Sequence, residues 1–377
     1  MSREAIFEAS LDYFLGPIRE FLHDETVTEV MVNGHSEIYI ERRGQLIRTE
    51  ASFASPDALL SAVHNVAQYV GREIDEERPV LDARLPDGSR VHAVIPPSAR
   101  NGTYLTIRKF QRDILGLGDF VRLGSLSDVA REFLELCVVL RKNIVVAGGT
   151  GTGKTTMLNA VSTAIPEEER IVVIEDSSEL RLAQTHCLYL ESQQADRQGQ
   201  GGLGIRDLFR ASLRMRPDRI LVGEVRGGEA LDMVQSMISG HSGSLTTVHA
   251  TSPRDALVRL ETLSLMSDVE LPVYVARAQV ASAIHLVIQL SRFSEDGSRK
   301  VTRITEVFGL DEANKYQSQD LFSSRLTGRD DSGMLTANLS PTGVRPSFAD
   351  ELAEHALEHR AERTREIWGL DLSLIHI

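Results

Sequence analysis

One stretch of the sequence has the residue types and the spacing of a phosphate-binding loop. Residues 148–155 read GGTGTGKT and fit the pattern GxxxxGK[ST]. An apolar run, 143–147, precedes them and a stretch of helical periodicity follows, so the loop would join a strand to the start of a helix. Glycines let backbone N–H groups turn inward around phosphate oxygens, and the helix N-terminus adds favourable partial charge. The pattern therefore predicts a site for a nucleoside triphosphate.

Each residue of this loop has an expected role. The ammonium group of Lys154 is expected to reach the β- and γ-phosphates of ATP, and the hydroxyl of Thr155 to bind Mg²⁺. The residues expected to bind the nucleotide are Gly148, Gly149, Thr150, Gly151, Thr152, Gly153, Lys154, Thr155 and Thr156. The alternative, a glycine-rich turn without a ligand, is disfavoured by the strand and helix that flank the loop.

Carboxylates follow two other predicted strands. One strand leads into Glu175 and Asp176, with Glu179 one turn further on, and another ends at Glu224. Open parallel sheets bind their ligands at the carboxyl ends of the strands, so these side chains are expected at the same edge of the sheet as the phosphate loop. A strand-end carboxylate that faces solvent is the alternative for each of them.

The expected chemistry of these carboxylates is the activation of water. Glu224, with Glu175 or Glu179, would polarise the attacking water, and the sequence leaves open which of the three is the base. Asp176 and Glu224 are expected to hold Mg²⁺ together with Thr155, partly through water.

A histidine ends a further predicted strand. His249 closes the run GHSGSLTTVHA, and His241 lies at the start of that strand. A lone histidine is more often structural than catalytic, but the position of His249 at a strand end favours a role at the site. A zinc site is disfavoured because no third ligand lies at a suitable spacing.

The elements that must position these residues alternate along the chain. Predicted strands are 143–147, 170–175, 219–223 and 244–249, and predicted helices are 155–164, 204–215, 228–239 and 253–266. Such alternation indicates parallel strands with crossover helices, an α/β fold. Two further runs, 284–291 and 299–308, predict a closing hairpin around Glu295-Asp296-Gly297.

The pattern divides the chain into four parts. Residues 1–112 predict an N-terminal α+β module, with a helix opened by Ser55-Pro56 and strands that end in TYLTIRKF. A glycine-containing linker is expected at 113–125 and the α/β core at 126–310. The remainder, 311–377, predicts a loop followed by a charged amphipathic helix over 349–366.

Composition excludes several classes of protein. The chain has 377 residues, 41 basic and 54 acidic, which gives a net charge of −13. Its 42% apolar and 25% charged residues are typical of a globular protein, and its two cysteines predict neither a disulfide framework nor a cysteine zinc site. No apolar run approaches the roughly 18 residues of a membrane span, so a cytoplasmic location is expected. The acidic balance argues against nucleic acid as a partner.

Four segments together resemble a known family. They are GGTGTGKTT (148–156), IEDSSEL (174–180), LRMRPDRILVGEVRGGEA (213–230) and GHSGSLTTVHATSPRDALVRLE (240–261). The chain is similar to the secretion ATPases of the type II/type IV superfamily, which power secretion systems and type IV pili. Residues 78–110 also resemble its CpaF-like (TadA-like) branch, which drives the assembly of Tad/Flp pili.

The resemblance implies a fold and a set of roles. It implies a PAS-like N-terminal module joined by a linker to a RecA-like P-loop NTPase core with a mostly parallel sheet. It also implies a homohexamer with ATP between subunits, on the cytoplasmic face of the inner membrane beside platform proteins. Beyond the phosphate loop, or Walker A motif, the resemblance implies an Asp box of Glu175, Asp176 and Glu179. It implies an atypical Walker B motif that ends in Glu224, with Arg226 after it, and a His box of His241 and His249. It also implies that Arg90 and Arg108 reach the phosphates from the N-terminal module.

Two other functions remain as alternatives. One is a nucleic-acid translocase or helicase on the same RecA-like core, which the acidic charge and the 5% of aromatic residues disfavour because no stacking platform is visible. The other is a nucleotide-binding regulator without turnover. Whether the motor serves a pilus or a secretion system stays open.

Overall fold

The structure, a computed structural model, describes residues 10–42, 44–110, 115–193, 201–331 and 333–370. The chain divides into two compact units, Met1–Asp113 and Ile114–Ile377. Among the helices of the described ranges, none is both long and apolar enough to cross a membrane.

The N-terminal unit is an antiparallel sheet with helices. Its elements are a 3₁₀ turn Gly16–Ile18, α1 (Arg19–His23), β1 (Val27–Asn33), β2 (Ile38–Arg42), β3 (Gln45–Arg48), α2 (Pro56–Tyr69), β4 (Val80–Arg84), β5 (Arg90–Val94) and β6 (Tyr104–Arg108). The strand order is β3-β2-β1-β6-β5-β4. Ser55 accepts a hydrogen bond from the N–H of Ala58 at the start of α2, as its sequence predicts, and Leu59, Val63 and Val66 of that helix are fully buried.

The core unit contains the remaining elements. They are α3 (Leu117–Arg122), α4 (Asp128–Val139), β7 (Ile144–Gly148), α5 (Lys154–Ser162), β8 (Ile171–Glu175), β9 (Cys187–Glu191), α6 (Ile205–Ser212), β10 (Arg219–Val222), α7 (Glu229–Ile238), β11 (Leu245–His249), α8 (Pro253–Leu265), α9 (Val273–Ala283), β12 (Leu286–Arg292), β13 (Arg299–Leu310), β14 (Tyr316–Arg329), β15 (Leu335–Pro341), α10 (Glu351–Glu354), a 3₁₀ turn Glu358–Arg360 and α11 (Arg365–Trp368).

These strands form one sheet in the order β15-β14-β13-β12-β7-β11-β10-β8-β9. The six strands from β12 to β9 are parallel, and β13, β14 and β15 extend the sheet antiparallel. Along β7, Ile144 and Val146 pack into one apolar cluster while Val145 and Ala147 pack into another. The sheet is therefore buried on both faces, which explains the continuous apolar runs of its central strands. The predicted α/β class, with an α+β N-terminal module and a mostly parallel core, is confirmed.

Three segments differ from the predictions. Part of the expected linker, Leu117–Arg122, is a helix whose Leu117 and Phe120 are buried in the core cluster. The prediction of a loop over 311–347 is wrong, because two antiparallel strands, β14 and β15, occupy most of this range. These strands lie largely at the surface and are polar, so their sequence lacks the apolar pattern that predicts a strand.

The predicted amphipathic helix over 349–366 is also wrong. Only short helical pieces form, and Ala356 between them has a φ of 56°, a left-handed conformation that ends a helix. Trp368 behind these pieces is fully buried and stacks on Phe133 of α4 with ring centroids 5.2 Å apart. The segment therefore packs on the core through a few buried residues, among them Leu352 and Ala361, while most of its charged residues face solvent.

Candidate nucleotide-binding site

The phosphate loop joins the end of β7 to the start of α5, as its sequence predicts. Gly151 and Gly153 have φ values of 69° and 90°, which favour glycine. Thr152 folds back over the loop and its Oγ1 donates to the carbonyl of Gly149 at 2.9 Å. Because the first N–H groups of a helix have no partner within it, the start of α5 offers donors to an anion held in the loop.

Lys154 is the first residue of α5 and is only 8% exposed. Its Nζ donates to the carbonyl of Gly149 at 3.0 Å and lies 3.3 Å from Nδ1 of His249. The ammonium group is therefore held inside the loop, beside the position that a phosphate would take. His249 reaches it because β11 pairs with β7 in parallel, which sets His249 directly opposite Gly148.

His249 links the lysine to the predicted Walker B glutamate. Its Nε2 lies 2.9 Å from Oε1 of Glu224. Partial burial and the charge of Lys154 lower the pKa of His249, although Glu224 opposes them. The lowered pKa favours the neutral form of the imidazole near pH 7.

Glu224 has a second strong contact. Arg226 donates to its Oε2 from Nε at 2.8 Å and from Nη2 at 2.5 Å. Nη1 of the same arginine lies 3.8 Å from a carboxylate oxygen of Asp176, and the charge of Glu179 also acts on it. One guanidinium group therefore joins the predicted Walker B glutamate to two carboxylates of the predicted Asp box.

Glu175 lies behind this group of charges and is only 4% exposed. Its Oε1 accepts the N–H groups of Glu179 and Leu180 at 2.8 and 3.0 Å. A Cβ built on Gly223 would lie 2.8 Å from its Cγ, so the strand next to it leaves room only for glycine. Burial raises the pKa of Glu175 to about 7, against the lowering effect of the two backbone hydrogen bonds. Its contacts suit the positioning of the Asp box.

His241 does not reach the site. It precedes β11, whose first residue, Leu245, pairs with Ile144 at the start of β7, whereas the phosphate loop follows the end of β7. Its N–H donates to the carbonyl of Ser236 at the end of α7. The His box therefore contributes one histidine, His249, to the site and one to the opposite edge of the sheet.

The predicted arginines of the N-terminal unit lie side by side. Arg90 of β5 and Arg108 of β6 are directly opposite in register, and Arg84 of β4 is directly opposite Arg90. Glu29 of β1 follows on the other side of Arg108. We call Arg84, Arg90 and Arg108 the arginine row. Residues directly opposite one another lie on the same face of a sheet, so this face carries three arginines beside one glutamate.

Sequence reasoning missed two arginines at the phosphate loop. Arg292 ends β12 and Arg299 begins β13, and Nε of Arg299 donates to the carbonyl of Gly151 at 2.8 Å. Both residues lie in the predicted hairpin, about 140 positions after the loop in sequence. Only the parallel pairing of β12 with β7 brings them to it.

The type II/IV secretion system protein family matches residues 14–329 of this chain. The chain belongs to this family. It is similar to the type IV secretion system protein PtlH of Bordetella pertussis, with 38% identity over 330 residues that cover 81% of this chain and 96% of PtlH. VirB11 of Brucella suis is 33% identical over 327 residues, covering 80% of this chain and 90% of VirB11.

A solved structure supports the fold of this type II/IV secretion family member. The Legionella pneumophila ATPase DotB superposes with a TM-score of 0.54 at 18% identity, covering 80% of this chain and 82% of DotB. At that identity the similarity concerns the architecture alone. Family membership rests on the sequence matches, and it supports ATPase activity and nucleotide binding as general properties of such proteins.

The donor set of this family member fits Mg²⁺ bound together with a nucleotide. Within the described ranges, histidine, cysteine and carboxylate side chains form no group of three or more that could hold a metal alone. The candidate oxygen ligands are the hydroxyl of Thr155 on α5 and the carboxylates of Glu224 and Asp176, which Arg226 links. Mg²⁺ prefers few protein ligands with phosphate oxygens and water in its remaining positions, so these residues suit it.

Proposed function

We propose that the chain is an ATP-hydrolysing motor that works as a homohexamer and powers type II/IV protein secretion or the assembly of a Tad/Flp type IV pilus. The observation that carries this is the direct contact of Lys154 with His249 and of His249 with Glu224. It joins a phosphate-binding cation to a carboxylate at the end of a neighbouring strand, which is the arrangement that nucleotide hydrolysis needs.

Each residue then has a role in hydrolysis. Lys154 exchanges the carbonyl of Gly149 for phosphate oxygens of ATP, and the N–H groups at the start of α5 bind the same phosphates. Glu224 orients and polarises the attacking water. Thr155 and, through water, Asp176 and Glu224 would hold Mg²⁺, and the ion would supply positive charge that offsets the charge developing on the phosphate oxygens.

Arg226 controls when Glu224 is available. In the structure its guanidinium group occupies Oε2 of Glu224, and His249 faces Oε1. Movement of Arg226 toward Asp176, whose carboxylate is 3.8 Å away, would free one oxygen of Glu224 for water. Oε1 of Glu224 is buried and makes no hydrogen bond within the described part of the chain, so this movement of Arg226 would leave both oxygens able to accept from water. A site that changes in this way when nucleotide binds would suit an enzyme that converts ATP into motion.

The arginine row supplies the coupling. Three guanidinium groups in register on an N-terminal sheet suit a polyphosphate, because each planar fork can bind two phosphate oxygens. If Arg90 and Arg108 complete the site of a neighbouring subunit, hydrolysis reports on the position of the N-terminal module. Platform proteins of the inner membrane are the partners that this motion would act on, and no nucleic acid is required.

The choice of machine rests on two kinds of support. PtlH and VirB11 are type IV secretion system proteins, which favours secretion. The segments 78–110 and 240–261 favour the CpaF-like branch and therefore a Tad/Flp pilus. Both placements share a peripheral location on the cytoplasmic face of the inner membrane.

Two variants test the hydrolysis. Lys154→Ala should abolish measurable ATPase activity, because the cation that binds the phosphates is lost. Glu224→Gln should keep ATP binding while kcat falls by roughly 10²–10⁴-fold, because the charge that orients water is removed. Glu168→Gln, an exposed carboxylate outside the site, is the control and should match the parent.

Other results would change the proposal. Turnover of Lys154→Ala within a few-fold of the parent would contradict the phosphate-loop assignment. A Glu224→Gln variant that loses ATP affinity but keeps kcat would make Glu224 structural. Strong stimulation by single-stranded DNA, with none by anionic lipid, would favour a translocase, and negligible turnover of the parent in every condition would indicate a regulator.

A further inference from the structure

Arg292 and Arg299 face each other across the hairpin that follows the parallel part of the core sheet. They are directly opposite in the register of β12 and β13, and we call them the hairpin arginines. Residues directly opposite in an antiparallel pair lie on the same face of the sheet, with Cβ atoms about 5 Å apart. Two positive side chains therefore share one face of the core sheet at its edge with the phosphate loop.

Both side chains lie against the backbone of the phosphate loop. Nε of Arg299 donates to the carbonyl of Gly151 at 2.8 Å, and its Cδ would lie 3.7 Å from a Cβ built on Gly153. A Cβ built on Gly151 would lie 3.2 Å from Nη1 of Arg292, so that guanidinium group rests against the backbone of the same glycine. Two guanidinium groups therefore lie beside the glycines of the loop that binds the phosphates.

The turn of the hairpin is held in position by strand β15. Asp296 in the turn accepts the N–H of Ser298 at 2.8 Å and, with its second oxygen, the N–H of Leu335 at 2.5 Å. Leu335 begins β15, so the last strand of the sheet fixes the turn that carries the arginines.

We propose that the hairpin arginines are phosphate-binding elements of the nucleotide site, supplied by the same subunit as the phosphate loop. Arg292 contacts phosphate oxygens of the nucleotide directly. Arg299 is a positioning residue, which holds the carbonyl of Gly151 outward so that the following N–H groups of the loop face the phosphates. This inference rests on the proposed function, because it needs a nucleotide in the loop.

Arg299 and the two residues after it also contact the segment between α3 and α4. Its backbone carbonyl accepts the hydroxyl of Ser125 at 2.6 Å, and the N–H of Val301 donates to the carbonyl of Ser125 at 3.0 Å. Nζ of Lys300 donates to the carbonyl of Gly124 at 2.9 Å. A shift of the phosphate loop on nucleotide binding would therefore be transmitted to residues 124–125 through the side chain of Arg299.

Nucleotide affinity tests the direct contact. The dissociation constant of a fluorescent MANT-ADP is measured for the full chain and for Arg292→Ala at several KCl concentrations. Loss of a charge-assisted hydrogen bond should raise it about 10-fold, and its dependence on salt should become shallower because one cation no longer contacts the anion. Arg303→Ala, an arginine of β13 paired with Asp320, is the control and should stay within 2-fold.

Steady-state ATPase activity tests the positioning residue. Arg299→Ala should raise KM for ATP about 5-fold or more while kcat stays within 2-fold, and Arg299→Lys should recover at least half of that loss. A purely structural role would lower the unfolding midpoint without separating KM from kcat. Such a result would overturn the role given to Arg299.

Lys154→Ala separates failure of the inference from failure of the proposed function. If Lys154→Ala loses MANT-ADP binding but Arg292→Ala binds with the affinity and salt dependence of the parent, the hairpin arginines take no part and the nucleotide site stands. If Lys154→Ala binds as tightly as the parent, the nucleotide site itself is wrong and the inference falls with it.

Discussion

Glu175 combines burial with a raised pKa, and this has a consequence for stability. Burial raises its pKa to about 7 from an ordinary value of 4.5, so the folded chain holds a proton there between those pH values that the unfolded chain releases. The free energy of unfolding should therefore fall as pH rises from about 4.5 to 7. The contribution of this one carboxyl is up to about 3 kcal/mol.

Replacement of Glu175 by glutamine tests this at the residue itself. The amide oxygen can still accept the N–H groups of Glu179 and Leu180, and it does not titrate. Urea unfolding of Glu175→Gln between pH 5 and 8 should show a weaker loss of stability than the parent. The exposed Glu168→Gln should keep the slope of the parent, and equal slopes for all three proteins would contradict the raised pKa.

The residues of the site were predictable to different degrees. The phosphate loop was predictable because its glycines, Lys154 and Thr155 lie within one short segment, and their spacing alone identifies a phosphate-binding loop. Glu224 and His249 were predictable from their strand ends. The arginines at positions 292 and 299 were not, because no local pattern marks a contact made across nearly 150 positions. The raised pKa of Glu175 was not predictable either, because it results from burial against Gly223, a residue that is distant in sequence.

A buried arginine fixes the turn before β11. Arg219 has no solvent-exposed surface, and its guanidinium group pairs with Glu169 at 2.5 Å and donates to the carbonyls of Val138 and Gly243. Gly243 has a φ of 85°, and a Cβ built there would overlap the guanidinium group. Because a buried ion pair that loses its geometry is costly, any side chain at this position should destabilise the fold.

Gly243→Ala should therefore lower the free energy of unfolding by about 3 kcal/mol or more, from backbone strain together with displacement of Arg219. Gly240→Ala separates the two causes. Gly240 also has a positive φ, 114°, but no atom lies within 4 Å of its built Cβ, so only the strain of about 1–2 kcal/mol applies. Thermal or urea unfolding measures both, and equal losses would contradict the overlap with Arg219.

The C-terminal segment is attached to α4 by one buried carboxylate. Glu132, 9% exposed, accepts the N–H groups of Arg363 and Thr364 and the hydroxyl of Thr364. Glu132→Ala should cost about 2–4 kcal/mol and make residues 345–370 sensitive to protease. Glu135→Ala on the same helix removes only a half-exposed pair with Arg131 and should cost less than about 1 kcal/mol. Protection from protease equal to the parent's would contradict this attachment.

The same segment shows where pattern reading stops. Central strands such as 170–175 and 219–223 were predictable because both their faces are buried and the apolar run is continuous. The strand Tyr316–Arg329 was not, since most of its residues lie at the surface and its sequence is polar. Charged residues over 349–366 suggested a long helix, but backbone conformation at Ala356 interrupts it.

At the scale of the whole molecule, the proposed motor makes one active site from two chains. Arg108→Ala should lower kcat at least about 10-fold, a loss of about 1.4 kcal/mol, without preventing assembly. Arg108 would then act on a nucleotide bound by another subunit. A mixture of Arg108→Ala and Lys154→Ala subunits should regain part of the activity, because some interfaces combine an intact arginine with an intact phosphate loop.

The mixing experiment has a matched control. Arg48→Ala removes an exposed arginine of the same N-terminal unit, paired with Glu37, and should keep the activity of the parent. No recovery in the mixture, with hexamers shown to form and exchange subunits, would mean that Arg108 serves the nucleotide of its own chain or none. Full activity of Arg108→Ala alone would remove the arginine row from the mechanism.

The chain has one tryptophan, Trp368, and its indole is completely buried among Phe133 and Phe348. Tryptophan fluorescence, excited at wavelengths where tyrosine does not absorb, therefore reports on the core unit alone, whereas far-ultraviolet circular dichroism detects both units. Denaturation curves from the two signals will coincide only if the two units unfold together. A single residue near the C-terminus thus provides a built-in optical label for asking whether two parts of a motor share one folding transition.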